Sequence, residues 1–242
     1  MRRHATAQLI GDRSHQCDAT ATRFTPYGEC VYVLLDGIGS TGEVQRWTRR
    51  QAVRLAAVST RLSTPTDALR RQRVGNERES WWGGADTWGY GEPPSAVAVA
   101  ALWADKQLEI AWCGDARAYL LHPDGRLQRL TIDHNARQAA LDAGREPLRW
   151  DRNLVLSHLL STDGEVGSVI LDVPAGRLLL ASDGLYEPIE DAGRSLAYPL
   201  ARFADPQVAA RHLVDLAMRL GEGRRDNATC LVADLAPLAG AS

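Results

Sequence analysis

The sequence has almost no lysine, little net charge and no long apolar run. Lys106 is the only lysine among its 242 residues, and 28 basic residues against 30 acidic residues give a formal net charge of −2. A chain with so little net charge has no broad electrostatic attraction to nucleic acid. No segment reaches the roughly 18 apolar residues that span a bilayer. We therefore expect neither nucleic acid nor a membrane as a partner.

Cysteines are also few, and their spacing pairs none of them. The four cysteines form no C-x-x-C pair, and three lie in or beside strand-like runs, where a reduced cysteine acts as a small apolar residue. The start of the chain, Met1 to Gln8, carries basic residues but lacks the apolar segment of a secretory signal. We expect a reduced, cytoplasmic protein that is a monomer.

The composition is that of an ordinary globular protein, with 45% hydrophobic and 24% charged residues. We expect a single domain over residues 1–242, without internal repeats or a linker. Runs of strands interspersed with a few long helices, without regular βαβ alternation, are typical of the α+β class. The predicted architecture is an antiparallel β-sandwich flanked by helices on both faces.

Apolar periodicity and turn residues predict the individual elements. Helices are expected at 43–62, 65–73, 133–143 and 206–220. Strands are expected at 30–35, 95–103, 108–113, 116–122, 127–131, 169–173, 177–182 and 228–235. The four strands from 95 to 131 are predicted to form a meander with tight turns, one of them at Gly114-Asp115. Residues 76–94 are predicted to form a long irregular loop, whose aromatic residues either make a binding surface or pack back against the core.

Three aspartates lie where strand-like apolar runs end or begin. Asp36 and Asp183 each follow such a run, and Asp226 precedes one. Three carboxylates delivered in this way can converge on one edge of a sheet. Converged carboxylates repel each other unless positive charge lies among them, and hard divalent cations are the usual solution. The pattern favours a metal-dependent hydrolase, although aspartate followed by glycine or asparagine is also common in plain turns.

Six short motifs are spread over roughly residues 11–235. They are Arg13-Ser14-His15-Gln16-Cys17-Asp18, Asp36-Gly37-Ile38-Gly39, Cys113-Gly114-Asp115-Ala116-Arg117-Ala118-Tyr119-Leu120, Leu130-Thr131-Ile132-Asp133-His134, Ser182-Asp183-Gly184-Leu185 and Asp226-Asn227-Ala228-Thr229. Each is weak alone, but all six in this order resemble the bacterial branch of the type 2C metal-dependent Ser/Thr protein phosphatases.

This resemblance implies a centre of two Mn²⁺ or Mg²⁺ ions. Asp36 would bridge both ions and the Gly37 carbonyl would complete one side, while Asp183 and Asp226 would hold the other ion. A water shared by the ions would lose a proton at neutral pH and attack the phosphorus in line. The three aspartates would thus be catalytic through that water. Oxygen ligands suit hard ions and exclude a zinc site made of thiolates.

Further residues take roles from the same resemblance. Arg13 would bind the substrate phosphate with its planar guanidinium, unless it is a surface arginine that pairs with a carboxylate such as Asp12. Asp18 would hydrogen-bond metal-bound water from outside the ligand sphere. Asp115 would help to hold a weaker third ion, although Gly-Asp between two strands also fits a plain hairpin. Residues 134–161 resemble the family's flap, which shapes access for protein substrates.

The chain departs from the family pattern in several places. Cys17 replaces an acidic residue, Gln16 an asparagine and Ser40 a glycine, and Pro93-Pro94-Ser95 stands where Gly-Thr-Thr is expected. No histidine follows Asp36-Gly37, so that water or another group would protonate the leaving group. These departures bear on metal affinity and rate more than on the type of reaction.

Function hypotheses of different classes follow from these residues. The first is an enzyme that hydrolyses phosphoserine or phosphothreonine in proteins that bacterial Ser/Thr kinases have modified. The second is a weak or inactive relative that binds a phosphoprotein, with residues 76–94 as the contact surface. The altered positions favour this second hypothesis and the retained aspartates oppose it. A phosphatase of small phosphate esters is a third alternative.

Overall fold

A computed structural model of the protein describes residues 3–60, 63–82, 93–161 and 163–235, without the side chains of residues 76–82. Ten strands form two five-stranded antiparallel sheets in this part of the chain. The strands are β1 His4–Leu9, β2 Ala19–Phe24, β3 Cys30–Ile38, β4 Ser95–Ala104, β5 Gln107–Cys113, β6 Arg117–Leu121, β7 Leu127–Arg129, β8 Gly167–Asp172, β9 Gly176–Ala181 and β10 Ala228–Leu235. Sheet 1 has the order β1-β10-β9-β6-β7, and sheet 2 has the order β2-β3-β4-β5-β8.

Helices cover the outer faces of the two sheets. Those in the described ranges are α1 Gly42–Val58, α2 Pro65–Trp82, α3 Ala136–Asp142, α4 Asp183–Asp191, α5 Ala197–Arg202 and α6 Pro206–Leu220, with a 3₁₀ turn at Asp151–Asn153. Helices α1 and α2 pack on sheet 2, while α4 to α6 pack on sheet 1. The predicted α+β sandwich with helices on both faces is confirmed. None of the helices in these ranges has the length and apolar character needed to cross a bilayer.

The central strands are buried on both faces, which explains their continuous apolar sequence. In β3, Tyr32 and Leu34 face the other sheet, whereas Val31, Val33 and Leu35 face the helices. Each of these five side chains is almost inaccessible to solvent. Truncation of one such leucine to alanine costs about 2–5 kcal/mol of stability. This rigid layered core fixes the strand ends on which the functional side chains lie.

Helix α1 begins as its sequence indicates but ends earlier than predicted. The Thr41 hydroxyl caps it by accepting the Val44 amide at 3.3 Å, and Glu43 lies in the first turn, where the helix dipole favours negative charge. At the other end, the Ser59 hydroxyl and amide both donate to the Leu55 carbonyl. The prediction of a helix to residue 62 is therefore wrong, because Ser59 takes extended backbone.

Helix α2 is longer than predicted and removes part of the expected loop. It continues to Trp82 rather than ending at residue 73. Gly75 and Asn76 are poor helix formers, but the surrounding arginine, glutamine and glutamate have good helix propensity. The irregular loop at 76–94 is thus wrong for residues 76–82, and residues 83–92 lie outside the described part of the chain.

The predicted meander is correct at its ends and wrong in its middle. Strands β4 and β5 form a hairpin through Asp105 and Lys106, which both have positive φ, and β6 and β7 form another hairpin. Strand β5, however, pairs with β4 and β8, whereas β6 pairs with β9. Gly114-Asp115 is therefore a crossover from sheet 2 to sheet 1 and not a hairpin turn.

Other elements differ in extent or were not predicted. Helix α3 starts at Ala136 and not at residue 133, because the Asn135 side chain caps it by accepting the Gln138 amide at 3.0 Å. Strands β1 and β2 and helices α4 and α5 had no counterpart in the prediction. The bounds of α6 and β10 are confirmed, since Pro206, Gly221 and the apolar run after Asn227 mark them clearly.

Candidate active site

The register of sheet 2 brings two aspartates to one strand end. Ala19 of β2 lies opposite Leu35 of β3, and the antiparallel register places the preceding residue, Asp18, beside Asp36. Asp36 is in turn paired with Val97 of β4. Asp18 is almost fully buried, with 2% of its surface exposed. Two carboxylates from separate motifs therefore meet at this edge.

The register of sheet 1 brings the other two acidic turns together. Ala181 of β9 lies opposite Cys230 of β10, and the Ser182 amide donates to the Thr229 carbonyl at 3.1 Å. The turns also touch directly, because a Cβ atom at Gly184 would lie 2.2 Å from the Asn227 carbonyl oxygen. A glycine is required at this position for the approach. The segments that carry Asp183 and Asp226 are thus in backbone contact.

The electrostatics show that the aspartates of both sheets share one region. Burial raises the pKa of Asp36 well above its usual value, and the negative charges of Asp18, Asp183, Asp226 and Asp115 raise it further. Burial and then the charge of Asp226 also raise the pKa of Asp183. Asp36 therefore lies within the field of the other four carboxylates, and Asp183 lies within the field of Asp226.

Two buried carboxylates lack sufficient partners among the described residues. The Oδ2 atom of Asp18 has no hydrogen-bond partner there, and burial raises the pKa of this carboxyl to about 7. Asp115 is 5% exposed, and burial followed by the charges of Asp183 and Asp133 raises its pKa to about 8. Its carboxylate accepts a long hydrogen bond of 3.4 Å from the Asn135 side-chain amide. Ionised carboxylates in such a place need positive charge.

Arg13 supplies one positive charge to this cluster. Its guanidinium forms an ion pair with Asp226, whose other oxygen accepts the Asn227 amide at 2.7 Å. Burial alone would lower the pKa of Arg13, but the hydrogen bond to Asp226 and the fields of Asp183 and Asp36 raise it. The alternative pairing of Arg13 with Asp12 is wrong, because Asp12 pairs with Arg225 instead.

The donor set fits hard divalent cations. The converging groups are carboxylate oxygens and the Gly37 carbonyl, which are the ligands that Mg²⁺ and Mn²⁺ prefer. In the described ranges no three His, Cys, Asp or Glu side chains are, as they stand, grouped tightly enough to enclose an ion. The contact of Arg13 with Asp226 is consistent with this looser arrangement.

These groups line one cleft of about 680 Å³. Of the residues predicted from the sequence, six lie in its wall: Arg13, Asp36, Gly37, Asp115, Asp183 and Asp226. Asp18 lies behind this wall, buried next to Asp36. Charged residues that the sequence analysis missed also line the cleft: Arg149, Arg152, Glu187, Asp191, Glu222, Arg224 and Arg225.

Helix α4 carries two of the missed residues. Asp183, Glu187 and Asp191 are spaced four apart and therefore share one helix face, which points to the cleft. Burial and then the charge of Asp183 raise the pKa of Glu187 to about 7. Arg152, from the 134–161 segment, lies 2.7 Å from Asp191 and 3.7 Å from Glu187. The four-residue spacing is the sequence signal that could have found them, had the helix been predicted.

Two of the departures from the family pattern make hydrogen bonds beside the cleft. The Cys17 amide donates to the Asn227 side chain at 2.7 Å, and its thiol lies 3.6 Å from the Thr41 carbonyl. Burial raises the pKa of this thiol, so that it stays protonated. The Ser40 carbonyl accepts the Ser14 hydroxyl at 2.8 Å. Neither residue displaces an aspartate from the cleft.

Sequence comparisons find relatives of one kind. A family model described as Protein phosphatase 2C matches residues 91–140. "Serine/threonine protein phosphatase PstP" of Mycobacterium tuberculosis is 34% identical over 150 residues, which are 60% of this chain and 28% of that protein. "Probable protein phosphatase 2C 3" of Oryza sativa is 29% identical over 177 residues, which are 61% of this chain and 36% of that protein. The chain thus spans well under half the length of these curated relatives.

Solved structures are similar over nearly the whole chain. The catalytic domain of serine threonine protein phosphatase PstP, solved in complex with two manganese ions, covers 97% of this chain and 98% of its own, with a TM-score of 0.77 and 26% identity. Serine/threonine phosphatase Stp1 from Staphylococcus aureus covers 98% of this chain and 96% of its own, with a TM-score of 0.80 and 19% identity. The second likeness concerns the fold alone.

Proposed function

We propose that this chain, which belongs to the bacterial branch of the type 2C protein phosphatase family, hydrolyses phosphoserine and phosphothreonine in proteins with the help of divalent cations. One observation carries the proposal. Asp36, Asp183 and Asp226 share the floor of a single cleft, and Arg13 lies among them. Because the curated relatives are much longer than the matched part, the activity is argued from this chain's own residues.

The proposed metal site uses oxygen ligands from both sheets. Asp36 and the Gly37 carbonyl come from sheet 2, while Asp183 and Asp226 come from the ends of β9 and β10. Together they would hold two Mn²⁺ or Mg²⁺ ions, with Asp18 in support behind Asp36 and with Asp115 helping to hold a weaker third ion. When bound, such ions supply Lewis acidity and lower the pKa of water. The manganese in the PstP structure is consistent with this assignment.

The chain's own residues would do the remaining work. Arg13 would bind two oxygens of the substrate phosphate with its planar fork and so hold the phosphorus over the carboxylate floor. The apolar core beneath Asp36 excludes water on that side, which strengthens the charge interactions of the most deeply placed carboxylates. Positioning and charge stabilisation are most of what phosphoryl transfer requires. No histidine lies among the described residues that line the cleft, so solvent is the simplest source of the leaving-group proton.

The alternative of an inactive binding module has no observation in its favour. Its supposed contact surface at 76–94 is helical as far as Trp82. The altered residues Cys17 and Ser40 make hydrogen bonds to Asn227 and Ser14, and the aspartates of the cleft are all present. An unneeded cluster of buried negative charge would destabilise the fold, so its retention supports catalysis.

The setting of the activity is part of the same proposal. The substrates would be proteins that bacterial Ser/Thr kinases have phosphorylated, and the protein would act in the cytoplasm as a monomer. The four cysteines are free, which suits a reducing compartment. Residues 1–242 would form one phosphatase domain, with residues 134–161 as a flap beside the cleft.

The proposal is tested by steady-state hydrolysis of an aryl phosphate and of phosphothreonine peptides, with Mn²⁺, with Mg²⁺ and with a chelator. We expect turnover that requires a metal and that falls on the order of 10³-fold in Asp36→Asn and Asp183→Asn. Asp215→Asn, an exposed aspartate of α6, is the matched control and should keep full activity.

The outcomes separate the hypotheses. Turnover of both substrate types, lost in the two cleft variants alone, supports the phosphoprotein phosphatase. Turnover of the aryl phosphate without any turnover of peptides would support an enzyme for small esters. Absence of turnover with every metal, together with measurable binding of the phosphopeptides, would support the binding module.

A further inference from the structure

Two exposed arginines that line the rim of the cleft form no ion pair with the described residues, although the charge of Arg224 helps to lower the pKa of Asp12. Arg149 and Arg224 both line the cleft, and neither makes a hydrogen bond or an ion pair with the rest of the described chain. Arginine is weakly hydrated and presents a rigid fork of donors that matches carboxylate or phosphate. Side chains of this kind, next to a reaction centre, are free to bind part of a substrate.

The other arginines of the cleft are already engaged. Arg13 pairs with Asp226, Arg152 pairs with Asp191, and Arg225 pairs with Asp12. Their charges are largely balanced within the protein. The exposed Glu222 also lines the cleft and pairs with none of the described residues, so the part of the rim outside these ion pairs carries two positive charges and one negative charge.

The two arginines come from separate parts of the chain. Arg149 lies in the 134–161 segment, just before the 3₁₀ turn, and Arg224 lies in the loop between α6 and β10, two residues before Asp226. An extended peptide advances about 3.3–3.6 Å per residue. With its phosphate on Arg13, such a peptide would bring residues that flank the phosphorylated residue past the rim.

An acidic peptide needs this positive charge. The floor of the cleft is negative, since Asp36, Asp115, Asp183 and Asp226 line it. Carboxylates close to the phosphorylated residue would be repelled by that floor unless cations at the rim attract them. Neutral or basic flanking residues would gain nothing from the unengaged guanidinium groups.

We propose that Arg149 and Arg224 form a subsite for anionic groups that flank the phosphorylated residue, so that the preferred substrates are phosphoproteins with aspartate, glutamate or a second phosphate nearby. This inference rests on the proposed function and adds a substrate class to it. Each contact is an exposed ion pair, so each arginine contributes about two- to fivefold in kcat/KM, and the preference weakens as salt is added.

The test uses phosphothreonine peptides of one length whose flanking residues are acidic, neutral or basic. For each protein, the measured quantity is the ratio of kcat/KM for the acidic peptide to kcat/KM for the neutral peptide. We expect this ratio to fall about two- to fivefold in Arg149→Gln and in Arg224→Gln, and further in the double variant. Matched controls are Arg145→Gln in the same segment and Arg219→Gln in α6, which are exposed and do not line the cleft.

Additional experiments identify the preferred anion and distinguish failure of the proposed subsite from failure of the proposed phosphatase activity. Peptides with a second phosphate in place of the acidic residues show whether carboxylate or phosphate is preferred. A double variant that keeps the wild-type ratio, or control variants that lower it equally, would overturn the subsite while leaving the phosphatase intact. A wild-type protein that hydrolyses neither peptides nor an aryl phosphate would overturn the proposed function, and the subsite with it.

Discussion

Asp12 and Arg225 form a two-pronged ion pair that ties the segment carrying Arg13 to the turn carrying Asp226. The Arg225 guanidinium donates to the two Asp12 oxygens at 2.9 and 3.1 Å, and the backbone amides of the two residues add bonds of 2.9 and 3.0 Å. These hydrogen bonds lower the pKa of Asp12 to about 2. Gly11, with φ of +63°, lets the chains meet, since a Cβ there would lie 2.3 Å from the Asp226 carbonyl oxygen.

The first prediction concerns the ion pair between Asp12 and Arg225, which we call the brace. Asp12→Asn removes the charge and loosens the placement of Arg13 relative to Asp226. We expect kcat/KM for phosphopeptides to fall roughly tenfold, mainly through kcat, because small misplacements at a reaction centre are costly. Arg225→Lys, which keeps the charge but loses the fork, should give a smaller loss.

The control for the brace is Asp142→Asn, which removes an exposed aspartate that is bound to Gln138 outside the cleft. If Asp12→Asn and Asp142→Asn have the same kcat/KM, the brace has no positioning role. Unchanged circular dichroism and an unchanged melting temperature in both variants would separate positioning from loss of the fold.

The second prediction concerns phosphate binding by Arg13. Arg13→Lys keeps a positive charge near Asp226 but cannot hold two oxygens at once. We expect kcat/KM for an aryl phosphate to fall roughly 10- to 100-fold, the usual effect of losing a hydrogen bond to a charged group. Inorganic phosphate should also inhibit the variant more weakly than it inhibits the wild type. Arg219→Lys is the control, and equal inhibition constants for Arg13→Lys and wild type would contradict the assignment.

The third prediction concerns the stability of the acidic cluster. Asp36 lies within the field of four other carboxylates, so Asp36→Asn removes repulsion and should leave the chelated protein at least as stable as the wild type. Saturating Mn²⁺, at 100 times its dissociation constant, adds about 2.7 kcal/mol to the wild type, or roughly 5–10 °C in melting temperature. That shift should be absent from Asp36→Asn.

Differential scanning calorimetry with a chelator and with Mn²⁺ measures the melting temperatures that check this prediction. Asp215→Asn is the control and should keep the manganese shift. An Asp36→Asn variant that melts well below the wild type in chelator, or that keeps the full shift, would show that Asp36 is a structural residue and not a ligand.

The fourth prediction concerns pH and His158. Its Nδ1 atom lies 2.8 Å from the Ser95 hydroxyl and accepts the Leu160 amide at 3.2 Å. Burial and the charge of Arg73 lower its pKa, so the folded protein resists protonation of this ring. Above a pH of about 6.5 the ring is neutral in both states, and below it the unfolded chain takes up the proton first. The stabilising contribution of His158 is therefore lost as pH falls.

His158→Asn keeps an acceptor near Ser95 but has no group that titrates. The free energy of unfolding is measured in urea for both proteins at pH 7.5 and at pH 5. We expect the free energy of unfolding of the wild type to exceed that of the variant by more at pH 7.5 than at pH 5. A gap that is constant, or larger at pH 5, would show that the histidine does not titrate in this way.

The sequence predicts those elements that local signals mark. Helix α6 and strand β10 were predicted to the residue because Pro206, Gly221 and a continuous apolar run bound them. Strands β1 and β2 have mixed small and polar residues, and their pairing with distant strands is what makes them strands. The prediction of a hairpin turn at Gly114-Asp115 was wrong for a related reason. The local turn residues do not indicate which sheet the next strand joins.

The residues of the site likewise divide into those that the sequence predicts and those that it does not. Asp36, Asp183, Asp226 and Arg13 could be named because short motifs carry them. The brace between Asp12 and Arg225 and the rim arginines could not, because they depend on which distant segments meet. Helix α4 was hidden by its short length and by Pro188, and with it the acidic face that borders the cleft.

The most direct test of the central claim is anomalous diffraction at the manganese edge from crystals soaked in Mn²⁺. We expect two peaks in the cleft, each within about 2–2.6 Å of carboxylate oxygens, with Asp36 in contact with both and with Asp183 and Asp226 at one of them. At a saturating concentration, peaks elsewhere, an absence of peaks, or carboxylates of these three residues more than ~10 Å apart would contradict the account.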